Sequence, residues 1–186
     1  MISIAYIREW RNFVRACATR YKGRITHWEI FNEPISYLTP AQYVSYLQAA
    51  YEEIKAADPA AKVIGICETQ YGNTTTQFLK GCFDNVPSAL NYCDIISFHG
   101  YRARLDGTIF PPPQISAEKG ISDIKAVMNT YGAGSKELWM TELFHIGNPI
   151  VINGVNVDYP FQRDIKGHEA ARRFLINLAN GVSKSF

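Results

Sequence analysis

Two glutamates stand where strands run out. Glu33 lies in Asn32-Glu33-Pro34, directly after the β-branched and aromatic run from Arg24 to Phe31, and Glu142 closes the segment Glu137-Leu-Trp-Met-Thr-Glu142. A pair of carboxyl groups can divide the labour at an acetal: one protonates the departing oxygen and the other meets the anomeric carbon. Held about 5 to 5.5 Å apart, the second attacks directly and configuration is retained. Asn-Glu-Pro on its own reads rather as a solvated glutamate in a strand-to-helix turn. The second strand-end carboxylate shifts that balance. A third strand-end cluster, His99 with Tyr101, follows the apolar run Asp94 to Phe98. A lone histidine beside a phenylalanine reads as a satisfied core residue, but the strand-end position favours a role in the site.

These groups need a frame that brings strand ends together, and the order of elements supplies one. Ile7, Trp10, Phe13, Val14 and Ala18 recur at helical spacing, and that helix ends near Tyr21-Lys22-Gly23. A strand over Arg24 to Phe31 follows, halted by Pro34. Thr39, Pro40 and Gln42 form a helix start with a capping-box pattern, ahead of a buried stripe of Tyr43, Leu47, Ala50, Tyr51 and Ile54. Strands are expected over Lys62 to Cys67, Asp94 to Phe98 and Glu137 to Thr141, with helices over Thr75 to Phe83, Ser116 to Tyr131 and His168 to Asn180. Val182 to Phe186 begins another strand. Alternation of this kind specifies right-handed crossovers and a parallel sheet with helices outside. An open doubly wound sheet would carry a glycine-rich phosphate turn, and there is no GxGxxG or GxxxxGK. The expected fold is therefore α/β, a partial (β/α)8 TIM barrel in one unit spanning residues 1–186, since a complete barrel needs about 250 residues.

Composition narrows the partners. Nineteen basic and seventeen acidic side chains leave a charge of +2 with no run of like charges, so nucleic acid is not an expected partner. No apolar stretch approaches a membrane span, and no signal peptide opens the chain; localisation stays open, because a parent protein can be secreted. Cys17, Cys67, Cys82 and Cys93 show neither CxxC nor metal-ligand spacing and read as free thiols, mostly buried. His27 and Glu29 alternate with Trp28 and Ile30, but no ligand spacing completes a metal site there, and no metal or organic cofactor is expected. There is no GxSxG elbow for a serine hydrolase.

Three segments, His27-Trp-Glu-Ile-Phe-Asn-Glu-Pro34, Ile95-Ile-Ser-Phe-His-Gly-Tyr101 and Leu138-Trp-Met-Thr-Glu142, resemble the glycoside hydrolases of clan A. The first is similar to the β-xylosidase and α-iduronidase family, whereas His-x-Tyr is similar to the endoglucanase and mannanase family. The resemblance runs in order along nearly the whole chain, from the third helix of a barrel into its eighth strand. It implies a retaining glycosidase with carbohydrate as substrate, Glu33 as acid/base at the end of the fourth strand and Glu142 as nucleophile at the end of the seventh. It also implies that Asn32 bonds the sugar 2-hydroxyl and that His99 and Tyr101 form the sixth-strand pair, the tyrosine donating to the nucleophile.

The clan takes an arginine from an early strand and an aromatic platform from the eighth, which this chain does not supply. A non-catalytic carbohydrate-binding or scaffold role is thus the alternative, and open sheet edges predict self-association. His145, three residues past Glu142, either reaches substrate or lies on the loop surface. Glu68 either lines the cleft or is a solvated loop residue, and Trp28 and Trp139 are expected to pack between sheet and helices.

Overall fold

Thr39 accepts the Gln42 backbone N–H through its hydroxyl while the Gln42 side chain accepts the Thr39 N–H, and with Pro40 in the first turn this box starts the long second helix. The computed structural model describes residues 6–69, 76–100, 113–142, 151–152, 155–156 and 159–186. Its elements run α1 (Ile7–Arg20), β1 (His27–Glu29), α2 (Pro40–Ala57), β2 (Lys62–Thr69), α3 (Gln77–Asn85), β3 (Ile95–His99), α4 (Pro113–Thr130), β4 (Glu137–Glu142), β5 (Val151–Ile152), β6 (Val155–Asn156), α5 (Tyr159–Ala179) and β7 (Lys184–Ser185). Five strands pair in parallel in the order β1-β2-β3-β4-β7 and curl into part of a TIM barrel, with the helices on the outer face. The short β5–β6 pair is antiparallel and separate.

The main core lies between helices and sheet. Tyr43, Leu47 and Ile54 of α2 are fully buried there against Val63, Ile96, Phe98, Leu138 and Met140 of the strands. Each such side chain contributes about 1.5–3 kcal/mol by leaving water. A smaller cluster, Ile64, Ile95 and Trp139, occupies the other, concave face, which is the inside of the barrel. Trp139 stacks on His27 at 5.0 Å and meets Phe186 at 5.9 Å. Trp28 packs on the helix side as expected, but Trp139 does not: its neighbours Leu138 and Met140 take the helix side, and strand alternation turns Trp139 inward.

Other boundaries differ for local reasons. β1 is shorter than Arg24 to Phe31 because the N–H groups of Arg24 and Ile25 turn back to the Tyr21 carbonyl, while Phe31 at φ 67° leaves the extended region. α5 begins at Tyr159 rather than His168, and the β5–β6 pair lies in what reads as loop sequence. The four cysteines are free, with Cys67, Cys82 and Cys93 buried. No helix among the described residues is long and apolar enough to cross a membrane.

Candidate active site

The chain leaves β1 through a tight turn in which Glu33 adopts the left-handed conformation, φ 44° and ψ 54°. Only glycine enters that region without steric cost, so the turn holds Glu33 in a locally unfavourable shape. The 3-10 turn Pro34–Ser36 follows at once, Pro34 lying buried at its start, and the Tyr37 hydroxyl donates back to the Asn32 carbonyl at 2.7 Å. Together these contacts fix where the Glu33 carboxyl emerges.

The neighbouring strand is distorted at the same level. Between Gly65 and Glu68, β2 carries one residue more than β3, with Ile66 at φ 80° and Cys67 at φ 44°. A bulge of this kind re-aims side chains where a regular ladder would not. Tyr43 of α2 braces it: its hydroxyl accepts the Ile66 N–H at 2.6 Å and donates to the Ile30 carbonyl at 3.3 Å, tying β1 to β2 where they part. Gly65 leaves little room beside the bulge, since a Cβ there would stand 3.0 Å from the Cys93 Cβ and 3.1 Å from Leu47, so those side chains would have to give.

The bulge delivers Cys67 to His99. The sulfur lies 3.2 Å from His99 Nε2 and also accepts the backbone N–H of Glu33. Burial, and then the negative charges of Glu29, Glu33 and Glu142, push the Cys67 thiol up to about 12. The thiol is therefore protonated at neutral pH and donates to Nε2. With Nε2 accepting from the thiol, the neutral His99 ring has its proton on Nδ1, the nitrogen that faces the glutamates.

That nitrogen is 2.9 Å from Glu33 Oε1 and 3.3 Å from Glu142 Oε2, with His99 itself 2% exposed. Glu142 sits opposite His99 in the ladder because β4 carries an extra residue, Thr141, at this point. The Gly100 N–H donates to the Glu142 carbonyl at 3.0 Å, and buried Arg173 of α5 donates to the Gly100 carbonyl. One oxygen of each glutamate and the histidine nitrogen all fall within 4.8 Å of one another. Glu33, Glu142 and His99 are thus brought together at the mouth of the sheet. Glu33 is the more enclosed carboxyl, with 19% of its side chain exposed against 46% for Glu142. Asn32 occupies the same turn and is exposed. Tyr101 and His145 lie outside the described residues.

Below the trio, Thr141 donates to Glu29 Oε1 at 2.8 Å, crossing the concave face from β4 to β1. Glu29, Cys67 and His99 form a second group of potential ligand atoms within 4.8 Å, sharing His99 with the first. His27 is not in it, because its ring stacks on Trp139.

Glu68 takes neither of its expected places. It is fully buried on the helix side, opposite Phe98, and accepts the Leu79 N–H at 2.6 Å and that of Phe78. Thr76 makes no side-chain cap, so Glu68 caps α3 from the neighbouring strand. Burial pushes its carboxyl up to about 7 against those hydrogen bonds. Cys67 and Tyr43 are the supporting residues that sequence reading did not assign to the site. The one available signal was the adjacency of Cys67 and Glu68 at a strand end.

No protein-family profile matches the chain. It is 29% identical over 142 residues to endo-1,4-beta-xylanase C of Phanerodontia chrysosporium, an alignment covering 72% of this chain and 33% of that protein. Among solved structures it is similar to a glucosidase from Croceicoccus marinus, with a TM-score of 0.71, 19% identity, and coverage of 96% of this chain and 37% of that one. A family 39 glycoside hydrolase from Bacteroides cellulosilyticus gives a TM-score of 0.65 at 18% identity, covering 98% and 37%. A monomeric beta-xylosidase from Caulobacter crescentus gives 0.61 at 15%, covering 77% and 32%. These neighbours bear out the partial barrel and the resemblance read from the three motifs at the level of fold. The chain spans about a third of the length of the relatives it matches.

Proposed function

We propose that this chain carries the acid/base and nucleophile of a retaining glycoside hydrolase acting on poly- or oligosaccharides. The observation behind this reading is the approach of Glu33 and Glu142 to within 4.8 Å across a single histidine nitrogen, at the strand ends of a glycosidase-like barrel. That spacing suits direct attack, whereas a mechanism with water between the carboxyls needs about 6.5–9.5 Å.

In the first step Glu142, the more exposed carboxylate, attacks the anomeric carbon while Glu33 gives its proton to the leaving oxygen. Glu33, having given up its proton, then takes one from the water that attacks the ester on Glu142. The Nδ1–H of His99 donates to whichever carboxylate is charged, holding both at one level through the cycle. Asn32, Tyr101 and His145 are the proposed sugar contacts, and no metal or cofactor enters these steps.

Incubation with activated 2-deoxy-2-fluoro β-glycosides, followed by intact mass and peptide mapping, tests the assignment. Label on Glu142 is the expected result, and label on another residue overturns it. A folded chain that takes no label favours the second reading, a carbohydrate-binding or scaffold unit. That alternative draws on the edge strands β1 and β7, each paired on one side only among the described residues.

A further inference from the structure

We propose that Glu29, Cys67 and His99 form a three-ligand site for a zinc-group divalent cation on the concave face, one layer beneath the glutamate pair. The donors are a carboxylate oxygen, a sulfur and an imidazole nitrogen from three adjacent strands, all within 4.8 Å. A tetrahedral zinc with bonds of about 2.3 Å to sulfur and 2.0–2.1 Å to nitrogen separates those two atoms by about 3.5 Å. Cys67 Sγ and His99 Nε2 stand 3.2 Å apart, so a few tenths of an ångström admit the ion. Sulfur and imidazole together favour zinc and cadmium over magnesium or calcium.

Two further contacts point to a ligand. A metal-bound histidine characteristically gives its other N–H to a carboxylate, and His99 Nδ1 already lies 2.9 Å from Glu33 Oε1. Ligating carboxylates are themselves hydrogen-bonded, and Glu29 accepts from Thr141 at 2.8 Å. Glu29 is exposed while Cys67 and His99 are buried, which gives the ion a way in and leaves a fourth position for water. On binding, the Cys67 S–H bond breaks, its proton passes to solvent, and the sulfur pair bonds the cation; no electrons are transferred. The site shares His99 with the glutamate pair, but its test reads cation binding and not hydrolysis.

Titration of the full chain with cadmium and cobalt, followed through thiolate charge-transfer and cobalt ligand-field bands, reads the site without activity. One equivalent is expected to saturate the bands. Cys67→Ser abolishes the charge-transfer band, and Cys17→Ser leaves it intact. Glu29→Gln, at an exposed position that does not endanger folding, weakens binding by roughly tenfold or more. No band from a folded chain, a band unchanged in Cys67→Ser, or unchanged affinity in Glu29→Gln overturns the proposal.

Discussion

Cys67 Sγ lies 3.2 Å from His99 Nε2, two buried groups carried by adjacent strands. Because the thiol is held protonated, with its pKa pushed up to about 12, the sulfur donates and the ring proton sits on Nδ1. Long-range proton–nitrogen NMR in metal-free buffer should show His99 as the Nδ1–H tautomer. Cys67→Ala should yield a mixture of tautomers. A wild-type ring protonated on Nε2 alone contradicts this arrangement.

As the proposed acid, Glu33 is needed in the first step only where the leaving group requires a proton. In any form of the barrel that turns over, Glu33→Gln should slow cleavage of alkyl glycosides by about 10²–10⁴-fold. Dinitrophenyl glycosides, whose leaving group departs as an anion, should be nearly unaffected in the first step. Equal losses for both substrates count against the acid role.

Tyr43→Phe removes the hydroxyl shared by the Ile66 N–H and the Ile30 carbonyl, in a fully buried place. An orphaned buried amide costs about 1–3 kcal/mol. Urea unfolding should show a loss of that size, and a midpoint unchanged from wild type removes Tyr43 as the brace of the bulge.

Glu68 makes stability depend on pH in an unusual direction. Its folded pKa, about 7, exceeds the ordinary value of 4.5, so the folded chain binds the proton more tightly than the unfolded chain. The resulting stabilisation is complete below about 4.5 and is lost as pH rises through about 7, amounting to about 3 kcal/mol at most. The stability of wild type relative to Glu68→Gln should therefore fall across that window. A difference that is flat or rising refutes the assignment.

The two ends of the sheet favour association. Leu175 and Leu178 on α5 are 67% and 65% exposed, Tyr6 and Phe13 at α1 are 61% and 60% exposed, and β1 and β7 are the edge strands among the described residues. Contiguous apolar surface beside unpaired strand edges promotes pairing with other chains. Light scattering of the isolated chain should report oligomers, reduced in the double variant Leu175→Lys, Leu178→Glu. A clean monomer at high concentration is the opposing result.

The start of α2 and the ends of β3 and β4 were legible because their signals are local. Thr39, Pro40 and Gln42 act within one turn, His99 and Glu142 each close a strand where the apolar pattern stops, and Glu33 lies in the turn that follows one. The bulge was not legible, because Ile66 and Cys67 are poor candidates for positive φ and the adjacent Gly65 does not itself adopt one. Tertiary support from Tyr43 overrides their preference. Glu68 misled for a related reason: its role depends on where α3 begins in space, not on its neighbours in sequence. Trp139 illustrates a third limit, since alternation separates two faces without naming which one meets the helices.

The left-handed backbone at Glu33 sets what mutation and selection can do there. Glycine would relieve about 1 kcal/mol or more of conformational cost and abolish the carboxyl in the same change. A library at this position sorted for thermal resistance should therefore enrich the residues that a library sorted for glycoside cleavage discards. Stability-guided redesign of the barrel has to leave position 33 out of its objective, or it will remove the proposed acid/base while improving the fold.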